Sequence, residues 1–259
     1  MMHALHKFVL FHLLMYLGLQ ALGSDIINGK KVNEKSMLYM ASVQNNTGHH
    51  VCGGFLINEN FVLTAAHCGD SKPTSVVLGT HDLRMVDDSM RYRVTRCKHP
   101  SYVSVLKGDD IMLLKLSKKA QLKKRVKLVQ LIKAGKKIKE KEKCHVAGWG
   151  FTKTRGKVDN VLQDVDVPII NLEVCKKEWA QPPVGVNLPA NVICAGGNDT
   201  KKGFCQGDSG GPLVCDGKAV GVVSFNMRGD CDYPNIPNVY TDISKYLPWI
   251  NKILKQKKC

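Results

Sequence analysis

Acidic residues are scarce in this 259-residue chain: 22 Asp and Glu face 38 Lys and Arg, a formal net charge of +16. The imbalance favours polyanionic company, such as nucleic acid, acidic membranes or sulfated glycans. Tightly spaced cysteines are also missing. The ten cysteines scatter from Cys52 to Cys259 without a C-x-x-C pair, which speaks against zinc and for disulfides formed in an oxidising compartment. No run beyond the first two dozen residues approaches the roughly 20 apolar residues of a membrane span. No aromatic residue interrupts the lysines of 118–143, so a base-stacking nucleic-acid platform is disfavoured. Internal repeats and low-complexity tracts are absent.

What is present begins with a leader. Lys7 precedes the apolar run "FVLFHLLMYLGLQAL", and Ala21 and Gly23 are small residues suited to a cut after Gly23. Residues 1–23 therefore read as a secretory signal peptide and the chain as an exported protein. Removing 1–25 takes away Lys7 and Asp25 together and leaves the charge at +16. In an exported protein the fitting polyanions are sulfated glycans. "NNT" at Asn45 and "NDT" at Asn198 are acceptors for N-glycosylation. Asp25 stands directly before Ile26-Ile27, an oddity if Ile26 is to become a new terminus.

The body of the chain is punctuated by glycine, proline and asparagine. "SVVLG" (75–79), "IMLLKL" (111–116), "CHVAGWG" (144–150), "LQDVDVPI" (162–169) and "KAVGVVSF" (218–225) read as short strands ending at turns, the pattern of an all-β barrel or sandwich. Only the tail shows helical spacing, with Ile243, Leu247, Ile250 and Leu254 on one face. Residues 118–143 carry twelve basic and two acidic residues. They read as a solvated linker between two domains, with Val126, Leu128 and Leu131 touching the core. The competing reading is a basic membrane-surface helix, which "AGKK" would break.

Chemistry concentrates in "GFCQGDSGGPLVC" (203–215), where Ser209 sits in a G-x-S-x-G turn that exposes a hydroxyl. An α/β-hydrolase needs its histidine after the serine, and none follows Ser209. The base must lie upstream, and "LTAAHC" places His67 beside Cys68. Cys52 is positioned to close a loop of about 15 residues there, worth about 3 kcal/mol in the chain-entropy model. The third member is a carboxylate able to hold the imidazole in one tautomer. Asp110, at the start of "IMLLKL", suits a buried place, whereas its neighbour Asp109 is expected in solvent.

"IING", "LTAAHC", "DIMLLKL", "GWG" and "GDSGGPLVC" appear in one order along nearly the whole chain after residue 25. In this the sequence resembles the chymotrypsin-family serine proteases. The resemblance implies an all-β fold: two six-stranded antiparallel β-barrels, an active site between them, and a C-terminal α-helix. It implies an activation dipeptide at 24–25 and a protease domain at 26–259, divided as 26–133, 134–242 and a helix and tail at 243–259. It implies a triad of His67, Asp110 and Ser209, an oxyanion hole from Gly207 and Ser209, and no cofactor or metal. It also implies the disulfides Cys52–Cys68, Cys144–Cys215, Cys175–Cys194 and Cys205–Cys231. Cys97 and Cys259 are left over. They are expected to pair with each other, unless one links two chains, so a monomer and a disulfide-linked dimer both stay open.

In that family a freed N-terminal ammonium pairs with the aspartate before the nucleophile, here Ile26 with Asp208. The acidic dipeptide resembles that of granule-stored members, granzymes and mast-cell proteases, which a dipeptidyl peptidase trims. The cysteine set is most like that of granzymes A and K. Expected partners are protein or peptide substrates, sulfated glycosaminoglycans or proteoglycans and serpin-type inhibitors, and the protein is expected to be secreted or stored in a secretory or cytolytic granule. By alignment the pocket for the residue before the cut has Gly203 at its floor, Phe204 beside it, and Asn226 and Asn238 as walls. With no opposing carboxylate, a substrate Lys or Arg would be desolvated at a cost of several kcal/mol. The expectation is cleavage after medium uncharged residues, Leu or Met first and neutral polar ones second, unless Asp230 or Asp232 turns inward. The rival reading is a catalytically silent, glycan-binding or antimicrobial relative, against which all three triad residues speak.

Overall fold

The structure, a computed structural model, describes residues 29–197, 200–227, 231 and 236–259. The leader, the dipeptide Ser24-Asp25, Ile26, Asn198, Asp230 and Asp232 lie outside the described residues.

After a two-residue strand β1 (Lys30–Lys31), six strands close a first barrel. They are β2 (Met40–Gln44), β3 (His50–Asn58), β4 (Phe61–Thr64), β5 (Ser75–Leu78), β6 (Arg91–Lys98) and β7 (Met112–Leu116), in spatial order β2-β3-β4-β7-β6-β5. Their β-branched and large apolar residues, among them Phe55, Leu63, Val76 and Leu113, fill its interior, and closure leaves no unpaired edge.

The second barrel consists of β9 (Lys143–Gly148), β10 (Gln163–Ile170), β11 (Val192–Ala195), β12 (Pro212–Cys215), β13 (Lys218–Phe225) and β14 (Asn238–Asp242). Pairing of β9 with β10 closes the ring β9-β10-β11-β14-β13-β12. The short β1 adds antiparallel to β10, and β8 (Gln130–Leu131) adds parallel to β13. The two six-stranded barrels are those the sequence led us to expect.

The basic segment 118–143 forms no helix. It runs largely extended and is anchored to both barrels: the Val129 amide donates to the Leu56 carbonyl, and the Ile132 amide to that of Ala219, both at 3.0 Å. Val126 is buried as expected, but Leu128 is 41% exposed and Leu131 only half buried; Val129 and Ile132 enter the core instead. Val129 and Ile132 are turned inward because their amides are held by one barrel each, at Leu56 and Ala219.

Two α-helices complete the fold among the described residues. α1 (Leu172–Ala180), not anticipated from the sequence, starts at Asn171, whose Oδ1 accepts from the Glu173 and Val174 amides, a standard N-cap. α2 (Leu247–Gln256) carries Pro248 in its first turn, where a missing N–H costs nothing. Ile250 and Ile253 are its buried residues, while Leu254 is only half buried. All ten cysteines are paired, in the four expected bridges plus Cys97–Cys259. That fifth bridge ties the tail to β6, and His99 beyond β6 packs against the rings of Tyr246 and Trp249.

Candidate active site

His67 lies in the 3-10 turn that follows β4, next to the Cys52–Cys68 bridge. Asp110 precedes β7 and is 1% exposed. Its two oxygens clasp His67: the His67 amide donates to Oδ1 at 2.9 Å, and Nδ1 stands 2.8 Å from Oδ2. From the second barrel, Ser224 donates its hydroxyl to Oδ2 at 2.6 Å and Thr241 donates to the Asp110 carbonyl at 2.9 Å. Burial alone would raise the Asp110 carboxyl. The bond from His67, its charge and the bond from Ser224 outweigh burial and hold the carboxyl below its ordinary value. The ionised carboxylate accepts the Nδ1–H bond at Oδ2, so that a neutral His67 carries its lone pair on Nε2. Asp109 does not stand in solvent as expected. It is half buried and accepts from the Tyr246 hydroxyl at 3.0 Å, with a left-handed φ of 54°.

Ser209 is half buried and is brought to His67 through the backbone. Its carbonyl accepts from the Gly53 amide at 2.8 Å and lies 3.7 Å from Cys68 Sγ, itself 4.0 Å from His67 Nε2. Gly210, with φ of 80°, fits where a Cβ would strike Thr64 Oγ1 and lie 2.6 Å from the Gly53 carbonyl. The Gln206 carbonyl accepts from the Phe151 amide at 2.7 Å. Because a trans peptide points its two dipoles apart, the Gly207 N–H is turned the other way. Among the described residues neither the Gly207 nor the Ser209 amide is hydrogen-bonded. Both are available to an incoming oxyanion.

Two residues that sequence reasoning missed support the site, His50 at this turn and Ser224 at Asp110. His50 is half buried, and desolvation drives it down to about 4, against the weaker pull of its bond to Gly207. It is therefore neutral near pH 7. Its Nε2–H donates to the Gly207 carbonyl at 2.9 Å, which leaves Nδ1 to accept from the Ser42 hydroxyl at 2.9 Å. The chain continues through Gln44 Nε2 to Ser42 Oγ (3.1 Å) and Arg91 to Gln44 Oε1 (2.6 Å). Ser224 owes its place to a bulge: Val223 opposes Tyr240 and Phe225 opposes Val239, so Ser224 is the extra residue. Bulges re-aim side chains in this way.

Asp208 is wholly buried. Gly150 donates its amide to Oδ1 at 2.7 Å and Cys205 to Oδ2 at 2.9 Å, yet burial pushes its carboxyl up to about 7. The "GWG" stretch makes the room, since a Cβ on Gly150 would lie 2.5 Å from the Asp208 carboxyl carbon. Its expected cationic partner, Ile26, lies outside the described residues.

The pocket residues fall around the segment leading to Ser209. Gly203 is buried; Phe204 is 3% exposed and belongs to the core, edge-on to Tyr240 at 5.2 Å. Asn226 is half buried, with Nδ2 3.6 Å from Cys231 Sγ. Asn238 is completely buried. Of the two sequons, Asn45 sits half exposed at the β2–β3 turn, its Oδ1 accepting from Thr47 and His49. Cys52, His67 and Cys68 form a cluster of potential metal ligands, but both sulfurs are committed to one disulfide and offer no thiolate.

Comparison with known proteins bears on the same arrangement. The trypsin family model matches residues 26–250. Granzyme B(G,H) of Mus musculus is 35% identical over 96% of this chain and 99% of its own. Mast cell protease 3 of Ovis aries is 38% identical over 90% of each, and serine protease 57 of Mus musculus 37% identical over 90% of this chain and 82% of its own.

Proposed function

Since the chain belongs to the trypsin family of serine endopeptidases, we propose that it cleaves peptide bonds through Ser209, His67 and Asp110 after losing an acidic dipeptide. The observation that carries this reading is the buried Asp110 carboxylate, bonded to His67 and braced by Ser224. With Nδ1 committed to Asp110, His67 Nε2 takes the Ser209 proton as Oγ attacks the substrate carbonyl, then returns it to the leaving amine. The Gly207 and Ser209 amides receive the oxyanion; losing one such donor costs about 3–4 kcal/mol of transition-state stabilisation. Water then releases the acyl group by the same route.

Activation follows from Asp208. A buried carboxylate without a cation is costly, and a freed Ile26 ammonium would supply one, fixing the Gly207–Ser209 turn. The dipeptide Ser24-Asp25 calls for a dipeptidyl peptidase rather than a tryptic activator. Likeness to granzyme and mast cell protease relatives supports secretion through a storage granule. The net charge of +16 suits packing on sulfated proteoglycan, and serpin-type inhibitors are the expected control once the enzyme is free.

The test compares a recombinant chain starting at Ser24 with one starting at Ile26, using a biotinylated fluorophosphonate and a peptide library. Labelling of Ser209 and turnover are expected only in the Ile26 form. Equal activity of the Ser24 form would remove the activation step, and failure to label either form would remove the protease reading.

A further inference from the structure

The second barrel carries a groove between the end of β10, the start of α1 and β11, with a volume of about 450 Å³. That lies within the range of small-molecule sites. No triad residue lines it. Residues 132–140 form its border, and this segment is tied down at both ends. The Ile132 amide donates to the Ala219 carbonyl at 3.0 Å, and the Lys141 amide to that of Ile169 at 2.9 Å. Between the ties the backbone makes a turn of its own, Lys136 to Lys133 at 3.2 Å. A Cβ built on Gly135 in this turn would meet nothing within 4 Å, so the chain here stands clear of the barrel.

Buried Ile132, Ile169 and Ile193 form the floor, and half-buried Ile138, Ile170 and Leu172 the sides. No aromatic ring is among the lining residues, so planar rings find nothing to stack on. A flexible aliphatic chain, by contrast, would cover these side chains and itself at once. The charges lie beside them. Lys136 faces Asp216 at 3.6 Å, but Lys137 and Lys245 are exposed and have no acidic partner among the described residues. Both acids of the groove are engaged within the fold. Asp242 Oδ1 accepts from the Ser244 amide and hydroxyl, and Glu140 accepts from Asn171 Nδ2.

We propose that this groove binds a free fatty acid, its alkyl chain laid along the isoleucines and its carboxylate between Lys137 and Lys245. A sulfated glycan would meet the two lysines and leave the aliphatic floor uncovered. A bilayer would need that floor on a protruding face, and it is recessed. The single-chain anion matches both halves of the groove.

The test titrates the chain starting at Ile26 with octanoate, decanoate and laurate by calorimetry, each below its micelle concentration. We expect one saturable site, tightening about two- to fourfold per added methylene, the scale of a buried CH₂. Dodecyltrimethylammonium, with the same tail and the opposite charge, should bind at least about tenfold more weakly than laurate. Lys137→Glu combined with Lys245→Glu should weaken laurate about tenfold or more at an unchanged melting temperature, since both side chains are exposed. Ile138→Asp, which sets a carboxylate among the isoleucines, should weaken it while leaving the two lysines in place. Laurate binding that ignores these variants, or is matched by the cationic amphiphile, overturns the proposal. Association with phosphatidylglycerol vesicles but not with monomeric laurate would make this a membrane face. A heparin octasaccharide whose binding falls in the lysine variant, with no laurate site, would make it a glycan face. Either result also overturns the proposal.

Discussion

Asp208 is sealed from water and His50 is half buried, and desolvation moves them in opposite directions. Asp208 rises from 3.8 to about 7, and the folded chain holds its proton more tightly than the unfolded chain does. Its contribution to stability is thus complete below its unfolded value and is lost as pH climbs through its folded one. His50 falls from 6.5 to about 4, so its contribution is present above 6.5 and is lost as pH drops through about 4. In a comparison of the Ser24 and Ile26 forms His50 cancels, because both forms contain it. An Ile26 ammonium beside Asp208 would remove the Asp208 loss. The melting temperature of the Ile26 form should therefore pull ahead of the Ser24 form between about pH 4 and about 7. The lead should shrink in alkaline solution as an amine that ordinarily titrates near 8 gives up its proton. Scanning calorimetry across that range checks it; a lead independent of pH would separate Asp208 from activation.

The Cys97–Cys259 bridge spans 162 residues and holds the end of α2 on β6. Three other bridges lie inside that span and already restrict the unfolded chain, so its share falls below the chain-entropy figure of about 5 kcal/mol. Cys259→Ser should cost about 2–3 kcal/mol in urea unfolding, and wild-type protein should run as a monomer without reductant. A covalent dimer would show the two cysteines joining different chains. Elements of this kind were legible unevenly. "KAVGVVSF" announces β13 because β-branched residues crowd it, and "GDSGGP" announces the nucleophile turn because its glycines leave few other conformations. α1 was hidden: its buried face is Cys175 and Trp179 alone, although the Asn171 cap was a readable signal. Ser224 and His50 are ordinary residue types in ordinary strands. Their roles come from a bulge and from contact with the other barrel, which no local pattern records.

At the scale of the molecule, the twelve basic residues of 118–143 and the tail lysines 252, 255, 257 and 258 are all exposed. Few of these charges are neutralised; Lys119–Glu59, Arg125–Glu34 and Lys136–Asp216 are exposed pairs of the kind worth under about 1 kcal/mol each. The protein should stay on heparin resin at physiological salt and leave it well above, as the screening length shortens from about 8 Å toward about 3 Å. Elution at or below 0.15 M would mean the charge serves only solubility. The same two-barrel plan makes the buried Asp110 depend on both halves. Its side chain grips a histidine on its own barrel, while Ser224 and Thr241 reach it from the other. On the proposed triad, turnover becomes a gauge of how squarely the two halves are seated. Anything that loosens the seam between them will silence the enzyme while each half is still folded.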